Sequence, residues 1–225
     1  MITVALAKGR LLEPSITLFE SLGYALEDAH DTRKLVLTDD ENRARFLIAK
    51  PMDVPIYVEY GAADVGIVGQ DALRESDVNV YEPAALGFGT CRLVVAGKPE
   101  LRDVEWRLLA GLRAATKYPR LTRAYFESRG LSVEVIEVYG SVELAPTVGL
   151  ADLIVDVVDT GRTLRENGLV ELDEIMRSEA ALIVNRASHT LRVDEIHDLI
   201  GRIRAGSNDA GRAMAGASSE GRARE

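Results

Sequence analysis

Short apolar runs alternate with segments of helical period almost from the first residue to about residue 204, and this alternation restricts the chain to an α/β fold. Ile2 to Ala7 is an apolar strand pattern ending at Lys8-Gly9-Arg10. Pro14 to Leu22 carries Ile16, Leu18, Phe19 and Leu22 at helical spacing and stops at Gly23, a C-terminal cap. Phe46 to Ala49 reads as a strand. Val54 to Tyr60 reads as a helix, with Asp53 as N-cap and Pro55 in its first turn. Val65 to Val68 is a further strand that passes through Gly69 into a short helix from Gln70 to Glu75. The texture changes at Leu86 to Cys91, where Gly87 and Gly89 flank Phe88, and Arg92 to Ala96 starts a new apolar strand. The alternation then repeats: strand Arg113 to Thr116, helix Thr122 to Ser128, strand Val133 to Val138, helix Val142 to Val148, strand Leu153 to Val158. Ala181 to Asn185 is a strand that can return to the first half, and an amphipathic helix follows from Asp194 to Ile203. The expected organisation is a first lobe of residues 1–90 plus 179–204 and a second lobe of 91–178. Residues 205–225, rich in Gly, Ala, Ser and charge without periodicity, are expected to be disordered.

Composition narrows the function. With 225 residues and 47% hydrophobic residues, the chain can bury a sizeable core as one domain or two small lobes. A net charge of -9 argues against broad nucleic-acid or membrane-surface binding, which needs a basic face, but leaves room for a phosphorylated substrate held by a few local cations. The single cysteine, Cys91, forms no internal disulfide, fits a reducing compartment and is most simply a small core residue. The N-terminus lacks a basic leader followed by a long apolar stretch, and no apolar run reaches the ~18 residues of a membrane span, so a cytoplasmic enzyme is expected. His30, His189 and His197 do not cluster in sequence with carboxylates or with Cys91, which argues against a His/Cys metal site.

Most of the chemistry lies in Leu153-Ile154-Val155-Asp156-Val157-Val158-Asp159-Thr160-Gly161-Arg162-Thr163-Leu164. A buried strand delivers two carboxylates, and a hydroxyl-rich turn then opens a helix. Gly161 lets the backbone approach an anion, and the free amides and dipole of the helix start favour negative charge. Thr160 and Thr163 add hydroxyl donors, so the turn can cradle a monophosphate. Asp156 and Asp159 can accept from ribose hydroxyls or help to hold Mg²⁺. The plainer alternative is a strand end with Asp159 or Thr160 as an ordinary N-cap. No Walker-type Gly-x-x-x-x-Gly-Lys-Ser/Thr is present. The pattern resembles the loop of phosphoribosyltransferases that binds phosphoribosyl pyrophosphate (PRPP). It differs from the commonest version, whose two acidic residues are adjacent, because Val157 and Val158 separate them here.

Other segments sharpen that resemblance. Ala7-Lys8-Gly9-Arg10-Leu11, Asp53-Val54-Pro55, Tyr57 to Gly69, Ala115-Thr116-Lys117-Tyr118-Pro119 and Tyr139-Gly140-Ser141-Val142-Glu143-Leu144-Ala145-Pro146 are similar to ATP phosphoribosyltransferases, in the same order, from Met1 to about Ser188. The resemblance implies a two-lobed α/β fold like that of type II periplasmic solute-binding proteins, with the active site in the cleft between lobes. It implies transfer of phosphoribosyl from PRPP to N1 of the adenine of ATP, with Mg²⁺, in the first step of histidine biosynthesis. The length implies the short form, without a C-terminal regulatory domain. That form works as a homodimer within a hetero-oligomer, beside a regulatory subunit resembling histidyl-tRNA synthetase.

Roles can be assigned residue by residue. Lys8, Gly9 and Arg10 lie at the carboxyl end of the first strand, the usual ligand edge of an open α/β sheet, and Arg10 is assigned to pyrophosphate or ATP phosphates. Arg33, in Thr32-Arg33-Lys34-Leu35, resembles a family arginine that reaches the leaving group from a neighbouring subunit. Lys50, before Pro51, is a further phosphate candidate; each cation has a solvated surface role as its alternative. Thr116, Lys117 and Tyr118 end a strand and are candidates for the nucleotide pocket, with Tyr118 equally readable as a packing residue. Glu143 either contacts ribose or adenine or complements a helix dipole. Asp71 can be an N-cap only. No general base is evident, and none is required, since adenine N1 has its own lone pair and catalysis can rest on alignment and leaving-group stabilisation. A solute-binding protein, a phosphoribosyltransferase for another nucleobase and a non-catalytic homologue are the rival readings; the lack of a signal-peptide pattern argues against the first.

Overall fold

The computed structural model describes residues 1–26, 34–109 and 111–221, with side chains described up to Ser207 except at residue 107. The chain forms two compact units, Met1–Gly89 with Glu179–Glu225, and Thr90–Ser178.

The first unit is built on strands β1 (Ile2–Ala7), β2 (Val36–Asp39), β3 (Ala44–Ala49), β4 (Val65–Gly69) and β5 (Tyr81–Ala85). A late strand, β11 (Ala180–Val184), enters between β4 and β5, giving the order β2-β3-β1-β4-β11-β5. β1 runs parallel to β3 and β4, while β11 is antiparallel to both of its neighbours. Every residue of β1, β4 and β11 is buried, as expected of central strands covered on both faces. The helices are α1 (Leu12–Ser21), α2 (Val54–Glu59), α3 (Gln70–Ser76), α7 (Arg186–Leu191) and α8 (Val193–Gly221). Phe19, Tyr24 and Phe46 meet edge to face with centroids 5.1–5.7 Å apart, the arrangement aromatic quadrupoles favour.

Two local expectations change. Asp53 has helical backbone angles and its side chain makes no capping bond; the turn before α2 is closed by the Asp53 amide donating to the Lys50 carbonyl at 2.9 Å. Residues 205–225 are expected to be disordered, yet α8 continues to Gly221. That stretch contains several alanines, the best helix formers, and the amphipathic turns before it supply the nucleus that helix growth requires.

The second unit contains β6 (Cys91–Gly97), β7 (Arg113–Thr116), β8 (Glu134–Glu137), β9 (Leu153–Val158) and β10 (Val170–Ser178), ordered β10-β6-β9-β7-β8. Its helices are α4 (Pro119–Ser128), α5 (Leu144–Thr147) and α6 (Arg162–Glu166). β7 is parallel to β8 and β9, and β6 is antiparallel to β9 and β10. Val94, Ala96, Ala115, Ile154 and Leu164 form part of its core.

Candidate active site

In the second unit, pairing register sets the chemistry. β7 and β9 align as Ala114↔Leu153, Ala115↔Ile154 and Thr116↔Val155. The next residues, Lys117 and Asp156, are therefore neighbours across two parallel strands, and Lys117 Nζ lies 3.1 Å from Asp156 Oδ1. Burial pushes the Asp156 carboxyl above its ordinary range; Lys117 and the Val157 amide oppose that shift, and the Glu143 charge adds to it. The pair is thus a desolvated carboxylate held beside its counter-charge.

Beyond it the chain turns. Gly161 has φ +71°, a left-handed conformation natural to glycine, and a Cβ there would lie 3.1 Å from Glu171 Oε1 and 3.2 Å from an Arg165 nitrogen. Arg165 braces the turn by donating to the Thr160 carbonyl at 3.0 Å. Arg162 forms an exposed pair with Glu166 at 2.7 Å. A cavity of about 420 Å³ opens at this turn, lined by Ser141, Glu143, Ile154 and every residue from Asp156 to Leu164. Thr160 and Thr163 are exposed, and Asp156 and Glu143 are half-buried on its walls. The wall therefore offers carboxylates as acceptors for hydroxyls, and the turn offers hydroxyls as donors to an anion. α6 has only five residues, so its dipole is small and local donors must carry any phosphate binding.

Neighbouring candidates separate by burial. Thr116 is fully buried: its hydroxyl donates to the Val155 carbonyl at 2.7 Å and accepts the Tyr118 amide at 2.9 Å. Tyr118 is 4% exposed and packs inside. Both residues hold up the strand end, whereas Lys117 reaches Asp156. Ser141, to which the sequence pattern gives no role, lines the cavity with φ +46°, a conformation unusual for a residue with a Cβ. The one signal for it is a hydroxyl after Gly140, between a strand and a helix.

In the first unit, β1 and β3 stay in parallel register to Ala7↔Ala49. Lys8 and Lys50 consequently leave adjacent strand ends roughly 4.8 Å apart along the sheet, and both are exposed. Gly9 turns the backbone with φ +88°. The Arg10 guanidinium donates to the Gly89 carbonyl and lies 3.4 Å from Asp71 Oδ1. Asp71 is not the N-cap, a place taken by Gly69; it lies in the first turn of α3, buried, and anchors Arg10. Gly69 makes room for this contact: a Cβ there would fall 2.3 Å from Asp71 Oδ1. Arg33 lies outside the described residues. Among the described residues no group of three or more His, Cys, Asp or Glu could hold a metal ion, and no helix is long and apolar enough to cross a membrane.

Two mixed sheets, the first completed by a late strand, define the class: an α/β protein with the type II periplasmic-binding-protein fold. The sulphonate-binding protein SsuA of Escherichia coli superposes with a TM-score of 0.59, covering 95% of this chain and 71% of that one; at 13% identity the likeness speaks for the fold alone. Sequence makes the assignment particular. The family described as HisG: ATP phosphoribosyltransferase matches residues 50–205. An ATP phosphoribosyltransferase of Caldanaerobacter subterraneus is 48% identical over 91% of this chain and 96% of its own, and one from Ruminiclostridium cellulolyticum is 50% identical over 90% and 95%. The ATP phosphoribosyl transferase (HisG:HisZ) complex from Thermotoga maritima includes a chain with TM-score 0.80 and 33% identity, covering 93% of this chain and all of that one. The chain belongs to the ATP phosphoribosyltransferase family. It is a pentosyltransferase that moves phosphoribosyl from PRPP to N1 of the adenine of ATP, releasing pyrophosphate, in the first step of histidine biosynthesis.

Proposed function

We propose that the turn from Asp159 to Thr163 grips the 5-phosphate of PRPP, and that Asp156 and Asp159 accept hydrogen bonds from its ribose hydroxyls. The observation that carries this reading is the 420 Å³ cavity in which these residues stand together. Thr160 and Thr163 donate to the phosphate, Gly161 lets the backbone approach it, and Arg162 sets a cation at the rim. Glu143 and Ser141 complete the wall on the ribose or adenine side. Lys117 keeps Asp156 ionised and aimed, so that the carboxylate accepts rather than donates. Thr116 and Tyr118 support the nucleotide site from behind.

In the first unit Lys8, Gly9, Arg10 and Lys50 take the polyphosphate groups, with Arg10 on the pyrophosphate that departs. Arg33, by family resemblance, reaches the same group from a neighbouring subunit. Negative charge grows on pyrophosphate as the ribose carbon becomes cationic, so fixed guanidinium and ammonium groups lower the barrier by stabilising the leaving group. Adenine N1 attacks with its own lone pair, and the protein's task is alignment. Mg²⁺ supplies further charge neutralisation when bound. The donors that fit it are substrate phosphates with Asp159, since Asp156 is engaged by Lys117 and Mg²⁺ commonly binds through one or two carboxylates plus phosphates.

The chain spans nearly the whole length of its relatives, which supports a short-form catalytic subunit. The Thermotoga complex of HisG with HisZ supports a hetero-oligomer; by the family resemblance, a homodimer of this chain stands in it beside a regulatory subunit resembling histidyl-tRNA synthetase. The need for ATP and PRPP favours a cytoplasmic enzyme, with no nucleic-acid or membrane partner. A crystal soaked with PRPP tests the central assignment: the 5-phosphate should sit against Thr160 to Thr163, and a bound ligand with that turn empty would overturn it.

A further inference from the structure

The chain has three histidines, and the fold brings two of them together in the first unit. His189 lies in the last turn of α7, and His197 lies on the second turn of α8. Their Nε2 atoms are 3.3 Å apart. Two nitrogens bound to one tetrahedral cation at ~2.0–2.1 Å stand roughly 3.3 Å from each other, whereas an ordinary N–H donor draws its acceptor to about 2.9–3.0 Å. The spacing therefore suits two ligands of one ion better than a mutual hydrogen bond.

The pair is also held in place. Arg192, the residue between the two helices, donates to Asp64 at 2.8 Å, to the Met1 carbonyl at 3.0 Å and to Glu195 at 2.7 and 2.9 Å. Asn185 caps α7 through the Ser188 amide at 2.9 Å, and Ser188 Oγ donates to Asp64 at 2.7 Å. The helix corner is thereby fixed, and the Tyr81 ring, 4.9 Å from that of His189, restrains the imidazole. Because the corner is already ordered, a bound ion need not supply that entropy. His197 is exposed, so the site opens to solvent.

We propose that His189 and His197 form a bidentate site for Zn²⁺, whose tetrahedral geometry matches this spacing and whose preference for imidazole separates it from Mg²⁺. Two protein ligands leave the remaining positions to water. The test is a calorimetric titration of the untagged full-length chain with Zn²⁺, without nucleotide, repeated with Mg²⁺ and followed by thermal melts. One Zn²⁺ per chain should bind and raise the melting temperature, and Mg²⁺ should do neither. His189→Gln and His197→Gln should each weaken Zn²⁺ binding at least ~10-fold while circular dichroism stays that of the parent, and His30→Gln should leave it unchanged. Absence of saturable binding up to about millimolar Zn²⁺, or parental affinity in His197→Gln, overturns the site, as does loss confined to His30→Gln.

Discussion

Replacing Thr116 by valine removes one oxygen while keeping the side chain's volume, and the surroundings of that oxygen determine the cost. Oγ1 is buried, accepts the Tyr118 amide at 2.9 Å, donates to the Val155 carbonyl at 2.7 Å, and has Thr122 Oγ1 3.4 Å away. Valine would leave the Tyr118 N–H buried without this acceptor, at a loss of about 1–3 kcal/mol, whereas the Val155 carbonyl has a second lone pair and is less sensitive. The expected destabilisation is therefore about 2 kcal/mol. Serine keeps the hydroxyl and forfeits only a buried methyl, at roughly 1 kcal/mol. Urea unfolding of the three proteins, compared at equal m-values, gives both differences directly. The KM for ATP should stay near the parental value in both variants, because the hydroxyl faces the core. If Thr116→Val lies within about 0.5 kcal/mol of the parent but raises the KM for ATP several-fold, the supporting role is wrong and Thr116 belongs to the nucleotide pocket.

Arg10→Ala should lower turnover by more than ~10-fold with unaltered circular dichroism, since the guanidinium is part-exposed and serves a charge rather than the core; steady-state assays with ATP and PRPP check this. The double variant Thr160→Val, Thr163→Val should raise the KM for PRPP more than that for ATP, and equal rises would contradict the turn's assignment. Lys117→Gln removes the main influence holding the Asp156 carboxyl down, so its pKa rises further. The native state binds this proton more tightly than the unfolded chain does, so the group's contribution to stability falls as pH rises through the native pKa. The stability gap between parent and variant, measured in urea from about pH 4 to about pH 8, should accordingly widen with pH. Gly161→Ala should cost about 1–2 kcal/mol for the left-handed backbone and raise the KM for PRPP, measured by denaturation and kinetics together.

Elements with clean periodicity are legible in the sequence. β1, β4, β9 and β11 are apolar runs, and a buried strand has few other ways to look. β10 is hidden because Val-Glu-Leu-Asp-Glu-Ile-Met-Arg-Ser reads as a charged stretch, and register shifts at Glu171/Asp173 and Glu174/Met176 break its period-2 alternation. β2 is hidden because it is a four-residue edge strand beside a charged turn. At the candidate site, the run from Asp156 to Thr163 stands out because glycine, hydroxyls and carboxylates follow an apolar strand, and those residues line one cavity. Lys117's partner cannot be read, because it depends on how β7 and β9 align rather than on either segment alone. Thr116 looks like a ligand residue for the same reason, as nothing local shows which way a strand-end hydroxyl faces. Asp71's hold on Arg10 crosses 61 residues, a distance no local pattern spans.

The threading of β11 has a consequence for how the polypeptide emerges from the ribosome. β4 and β5 are separated in the finished sheet by a strand that is made only after the 89 residues from Thr90 to Ser178. At about 5–20 residues per second, that delay is roughly 4–18 s. During it, Val65–Gly69 can pair with β1 on one side, while its other edge has no permanent neighbour. A chain ending at Ser178 should therefore carry a sticky, half-built sheet, and only the insertion of Ala180–Val184 seals it.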